Sequence, residues 1–166
     1  LEDQDGMVLC ENRHLLSLKD MNRADFLGDL VRAGITSFKI EGRLKDLDYV
    51  KNITGFYRQR LDHLIENSAS YKRASSGRTT FSFTPKPHKT FNREFTDYFL
   101  SGSPGAIDAF DTPKSVGEPV GQVTPIKTHA LVLDRPHDLR AGDGICFPKA
   151  PGRLKGFYVN RVDAHH

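Results

Sequence analysis

Leu30-Val31-Arg32-Ala33-Gly34-Ile35-Thr36-Ser37-Phe38-Lys39-Ile40-Glu41-Gly42-Arg43 reads as the end of a helix, a glycine stop, a short strand and a polar turn that opens the next helix. Phe38 and Ile40 alternate with Lys39 and Glu41, so on a strand the two charged residues share one face. Upstream, Leu15, Leu16 and Leu18 form a short apolar strand candidate ending at Lys19-Asp20. Asn22 followed by Asp25 is similar to a capping box with a shorter acid, and Phe26, Leu27, Leu30 and Val31 then repeat at helical spacing. Gly34 is placed to end that helix. Downstream, Asp46 is a candidate cap for a long helix with an apolar stripe at Tyr49/Val50, Ile53, Phe56/Tyr57, Leu61 and Leu64/Ile65. Strand, helix, strand, helix at this spacing predicts a parallel βαβα unit. Two strands cannot complete a parallel sheet, which needs cover on both faces and both edges. The unit therefore reads as the last quarter of an α/β barrel, completed by further sequence, by the second half of the chain or by another chain.

The 166 residues leave room for one domain or two small ones, and the net charge of +3 is mild. Its distribution is uneven. From Ser68 to Arg93 there is no acidic residue, while Lys72, Arg73, Arg78, Lys86, Lys89 and Arg93 all fall there, interleaved with Tyr71, Phe81, Phe83 and Phe91. Basic residues among aromatics suit a nucleic-acid backbone with stacked bases; the alternative is a solvated linker whose aromatics dock on the flanking domains. Thr84-Pro85-Lys86-Pro87 predicts an extended course, residues 94–100 at least one helical turn, and Ser101 to Gly105 a loop. Cys10 and Cys146 form no CxxC, so neither a disulfide framework nor a zinc site is indicated. No apolar run reaches membrane-spanning length and no secretory signal pattern is present, which makes the cytoplasm the expected location. The terminal His165-His166 pair matches a tag remnant.

From Ser115 the pattern becomes all-β. Val116, Val120 and Val123 are separated by Gly117, Pro119 and Gly121; strand candidates follow at Ala130–Leu133, as a turn then a strand over Leu139–Phe147, and at Gly156–Val162. Short strands with Gly/Pro turns at this spacing suggest a small barrel. Gly-x-x-Val-Gly-x-Val followed by Leu-x-x-Gly-Asp-x-Ile is similar to the second domain of translation factors. The expected organisation is α/β followed by all-β: 1–67 part of a barrel, 68–114 a basic arm and connecting segment, and 115–166 a small translation-factor-like β-barrel.

Arg43 leads the candidates for chemistry, because a guanidinium at a strand's end is preorganised for a carboxylate or phosphate. Glu41 is positioned to orient it or to act as acid or base, with Lys39 beside it; a structural ion pair between Glu41, Lys39 and a neighbouring strand is the alternative. Ile40-Glu41-Gly42-Arg43 also matches an engineered cleavage tag, but its place between strand and helix argues that it is native. Asp20 follows the other strand toward the same mouth, or serves only as a cap or turn residue. Ser17 has no evident His/Asp partner, and Cys10 near His14 reads as incidental. HExxH, a Gly-rich phosphate loop and paired CxxC are all absent.

His14-Leu-Leu-Ser-Leu-Lys-Asp20, Phe38-Lys-Ile-Glu-Gly-Arg-Leu-Lys-Asp46 and Leu44-Lys-Asp-Leu-Asp-Tyr-Val-Lys-Asn52 together strongly resemble the U32 collagenase-like peptidase family. With Asn92-Arg93-x-Phe95-Thr96-Asp97-Tyr98-Phe99, the chain looks most similar to the branch that hydroxylates ribosomal-RNA cytidine. The resemblance implies the last βα units of a TIM-type barrel followed by a small β-barrel, hence the C-terminal part of a longer protein. It also implies oxygen-independent hydroxylation of an RNA base in the full-length protein, linked to prephenate, with an iron–sulfur cluster held by four cysteines. Glu41, Arg43, Lys39 and Asp20 are then the catalytic candidates, and Lys72, Arg73, Arg78, Lys86, Lys89 and Arg93 the RNA-binding ones, with no metal ligand here. The implied partners are ribosomal or transfer RNA, a dicarboxylate such as prephenate, and a second copy covering the incomplete barrel. The fragment alone would be inactive. Alternatives are a peptidase and a non-catalytic RNA- or protein-binding module. The family pattern usually has Asn-Arg-Gly-Phe, where this chain has Asn92-Arg93-Glu94-Phe95.

Overall fold

The computed structural model describes residues 1–102, 105–150 and 153–163. Ser103 and Pro104 of the expected loop, and His165-His166, lie outside the described residues. The described chain forms two compact units: Lys19–Ile107, and Leu1–Leu18 together with the residues from Asp108 onward.

The first unit is organised on helix α2, Leu47–Glu66. Asp46 is extended and its carboxylate accepts a hydrogen bond from the Tyr49 amide at 2.7 Å, a cap worth about 1 kcal/mol. Helix α1, Leu27–Arg32, is entered through a 3-10 turn at Ala24–Phe26. Ala24 in the 3-10 turn, Leu27 in α1 and Ile53 in α2 are buried, and α1 contacts α2. The capping box expected at Asn22 and Asp25 is not formed. Because the helix begins with a tighter turn, the Asn22 side-chain oxygen instead accepts from the Ala24 amide at 3.0 Å and the Tyr57 hydroxyl at 2.9 Å. Gly34 does end α1: it sits at φ +91°, and the Ile35 amide folds back to the Leu30 carbonyl at 3.1 Å.

Two strand expectations are corrected. The upstream strand is shifted C-terminally to β1, Asp20–Met21, which pairs in parallel with β2, Phe95–Thr96. Residues 94–100, expected to be helical, therefore open with a strand. The second correction concerns Phe38–Ile40, which joins no ladder with any described residue. Strand hydrogen bonds need a neighbour, and without one Phe38 and Ile40 stay 39% and 38% exposed. Lys39 and Glu41 nonetheless share a side, as alternation requires, and pair at 2.8 Å.

The 68–93 segment packs along α2. The Asn52 side chain accepts from the Lys86 amide and donates to the Lys86 carbonyl, both at 2.6 Å. Pro85 and Pro87 are buried, with a 3-10 turn at Pro87–Lys89. Gly55 permits the approach: a Cβ there would lie 3.1 Å from both Phe81 Cε1 and Pro85 Cγ.

In the second unit Leu15-Leu16 lies in a turn closed from the Ser17 amide to the His14 carbonyl, and Leu18 makes only a single bridge with Asp108. Leu16 is 97% exposed, so this is not the apolar strand that its composition suggested. Ser17 is buried and donates to the Thr112 carbonyl at 3.3 Å. Strands β3, Val123–Lys127, and β4, Ala130–Leu133, form one antiparallel hairpin; β5, Gly144–Ala150, and β6, Arg153–Tyr158, form another. β6 starts and stops earlier than expected, because its register is set by pairing Gly144 with Tyr158. Among the described residues, no helix is long and apolar enough to cross a membrane.

Candidate functional site

The β1–β2 pair carries a cluster of charge. Parallel pairing puts Asp20 beside the turn that precedes β2, and its carboxylate takes three hydrogen bonds from Arg93. The Arg93 amide donates to Oδ2 at 2.8 Å, Nε to Oδ2 at 3.2 Å and Nη2 to Oδ1 at 3.0 Å. The two side chains are only 19% and 27% exposed, so the fork-to-fork geometry is screened from water. Asn92, 1% exposed, builds the turn: its amide donates to the His88 and Thr90 carbonyls and its oxygen accepts from the Glu94 amide. Glu94 then adopts φ +65° and pairs with Lys19 at 2.6 Å.

Lys45, just before the α2 cap, completes the cluster. Its ammonium lies 3.3 Å from the Phe91 ring centroid and 5.6 Å from that of Tyr49. Burial lowers its pKa from the ordinary 10.5, with Arg93 acting in the same direction and Asp20 opposing. The Asp20 hydrogen bond raises Arg93 further above its usual range. Arg93 is thus committed to Asp20, while Lys45 is the cation whose charge the surroundings disfavour. An ammonium held over an aromatic ring beside a second cation suits anion binding.

Burial also raises Tyr49 and Tyr57 above the ordinary 10.0; the Asp20 charge adds to the shift at Tyr49. Tyr57 donates to Asn22 and accepts from the Arg23 amide at 3.0 Å. A raised folded-state pKa means that this stability is complete below pH 10 and is lost as the pH rises through the folded-state values. Alkaline titration followed by phenolate absorbance should show a late step that shrinks in Tyr57→Phe. Full amplitude in that variant would count against the assignment.

The sequence candidates separate in space. Asp20 and Arg93, expected in different roles, are brought together. Lys39 and Glu41 form an exposed pair, and hydrogen bonding to Glu41 raises the Lys39 pKa. Arg43 is exposed on the turn before α2. Arg73 pairs with Asp62, which also takes Arg58; Lys72, Arg78, Lys86 and Lys89 are exposed. Lys45 and Tyr49 were not singled out by sequence reasoning, although their four-residue spacing at a helix start was a signal for one shared face. The two cysteines, Cys10 half-buried and Cys146 exposed, are free thiols. No described group of three or more His, Cys, Asp or Glu side chains is placed to hold a metal ion. Two thiolates cannot supply a four-cysteine cluster, so the residues present do not by themselves fit one.

Comparison with known proteins converges on one family. The model of peptidase family U32 matches residues 1–109. The chain is 49% identical over 163 residues, 98% of its length, to the 23S rRNA 5-hydroxycytidine C2501 synthase of Escherichia coli (strain K12), covering 25% of that protein. It is 38% identical over 71 residues to the tRNA hydroxylation protein P2 of Bacillus subtilis (strain 168), covering 43% of the chain and 21% of that protein. A collagenase of Porphyromonas gingivalis is 29% identical over 92 residues, covering 55% of the chain and 24% of that protein. The chain therefore spans a quarter or less of the length of these relatives. No solved structure matches it. With the family match running through β1, both helices and β2, and a 49% identity reaching across both units, the chain belongs to peptidase family U32.

Proposed function

We propose that this chain is one part of a longer protein that modifies RNA, hydroxylating a cytidine base of ribosomal RNA. The observation that carries the reading is the 49% identity to a 23S rRNA hydroxycytidine synthase over 98% of the chain. In this reading the unpaired 35–44 stretch is completed by the rest of a TIM-type barrel, and the two hairpins belong to a translation-factor-like barrel. Glu41, Arg43, Lys39 and Asp20 contribute to the mouth of the pocket, with Arg43 contacting a dicarboxylate such as prephenate. An iron–sulfur cluster, where the full-length protein uses one, takes its thiolates from outside this chain. The protein works in the cytoplasm, where its RNA substrate is found.

Deleting the gene should remove 5-hydroxycytidine from the nucleosides of 23S rRNA, read by mass spectrometry, and the full-length protein should restore it. An unchanged level on deletion would overturn the proposal. Arg43→Ala in the full-length protein should weaken prephenate binding by about tenfold or more, the effect of losing a charged hydrogen bond. The collagenase-named relatives favour peptide hydrolysis as a second reading. Gelatin cleavage by the pure full-length protein, with rRNA unchanged on deletion, would select it.

A further inference from the structure

An open cleft of about 400 Å³ runs between the first turns of α2 and residues 83–90, lined by Asp48, Lys51, Asn52, Phe83, Lys86 and Lys89. Three lysines against one carboxylate make it cationic, a match for phosphate. Its walls are held in place. The Asn52 amide engages both backbone groups of Lys86, and the Lys89 amide bonds to the Lys86 carbonyl at 3.0 Å. Lys86 and Lys89 flank the Pro87–Lys89 turn at its two ends, and both line the cleft. Phe83 is 42% exposed, yet it is braced edge-to-face by Phe81 at 5.9 Å, and Phe81 abuts Gly55. An exposed aromatic ring fixed beside convergent lysines is the arrangement of a base-stacking platform next to a backbone track.

We propose that this cleft binds single-stranded RNA, with a base stacked on Phe83, phosphates held by Lys51, Lys86 and Lys89, and Asp48 available to accept from a base amino group. A duplex would gain little here, because its base faces already stack on each other. Lys51 and Phe83 thereby join Lys86 and Lys89 as substrate contacts. The inference rests on the RNA-modification reading and gives it a place to hold the strand.

The test uses the full-length protein with a fluorescent oligouridine and a duplex of equal length, titrated across a salt series. Phe83→Ala should weaken oligouridine binding by about tenfold, and Phe83→Trp should restore it. The triple variant K51Q/K86Q/K89Q should lower the slope of log affinity against log salt by about 2, near 0.7 per phosphate contact. The thermal midpoint of each variant is measured alongside; if Phe83→Ala melts early, the salt slope of the lysine variant decides alone, read at a temperature where that variant is folded. Oligouridine binding with wild-type affinity and slope in every variant overturns the cleft and leaves the RNA reading standing. Binding of neither probe by the wild-type protein overturns both. Equal affinity for duplex and single strand, unaffected by Phe83→Ala, also overturns the stacking assignment.

Discussion

Asp20→Ala is expected to cost about 3 kcal/mol of folding stability, the effect of stranding a half-buried arginine and one backbone amide at once. The Arg93 amide, Nε and Nη2 all end on this one carboxylate, and neither side chain is more than 27% exposed. Among the described residues the ion pair of the Arg93 guanidinium is with Asp20, and Lys45 adds positive charge nearby. Asp20→Asn should cost nearly as much. An amide offers one acceptor where two are needed and presents an N–H to a donor. Arg93→Lys retains the charge but not the fork, and should cost about half as much. Denaturant unfolding of the three variants would check the order. A loss below about 1 kcal/mol for Asp20→Ala, the range of an exposed pair, would show that the clasp is ornamental. The comparison also separates roles. If Asp20 only positions β1, the rRNA hydroxylation proposed for the full-length protein should fall in proportion to the folded fraction in all three variants. A larger fall for the Asp20 changes alone would mean that its carboxylate also contacts substrate.

The helices were legible because their signals are local. Asp46 and the stripe through Ile53 announce α2 within one stretch of chain, and Gly34 marks the end of α1 in the same way. The strands were less legible because strand identity is a property of pairs. Asp20 and Arg93 are 73 positions apart, and nothing near Leu15–Leu18 reveals that the ladder begins only at Asp20. The alternation at Phe38–Ile40 is real and shows in the Lys39–Glu41 pair, but alternation does not provide a partner. The basic segment illustrates the same limit for charge. Its cations look equivalent in sequence, yet Arg73 and Arg93 are engaged by Asp62 and Asp20, acids outside the segment. The cleft escaped notice because Lys51 and Phe83 belong to different parts of the sequence and meet only when Asn52 grips Lys86.

Asn92→Ala should destabilise the protein by about 3 kcal/mol, although it deletes only one small polar group. Asn92 is 1% exposed, so water cannot replace its bonds to the His88 carbonyl, the Thr90 carbonyl and the Glu94 amide. The turn it holds aligns Arg93 with Asp20 and delivers Phe95 to the β1 ladder. Asn92→Asp is the sharper probe. A carboxylate can still accept from the Glu94 amide but cannot donate to two carbonyls, so it should be as damaging as alanine. Glu94 in the same turn should respond according to backbone conformation rather than lost bonds. At φ +65° a glutamate is strained by about 1 kcal/mol, and glycine is not. Glu94→Gly relieves that strain but loosens the unfolded chain and gives up the pair with Lys19, in which Glu94 is 63% exposed. These terms are of similar size, so Glu94→Gly should leave stability within about 1 kcal/mol of the parent. Glu94→Val, branched at Cβ in a left-handed turn, should cost about 2 kcal/mol. A thermal series in which valine and glycine at position 94 behave alike would mean that the turn relaxes in solution. Glycine and glutamate close together with valine well below both would show that the turn geometry is imposed by Asn92 and the Asp20 clasp, with position 94 held in a conformation that a Cβ-branched side chain cannot adopt cheaply.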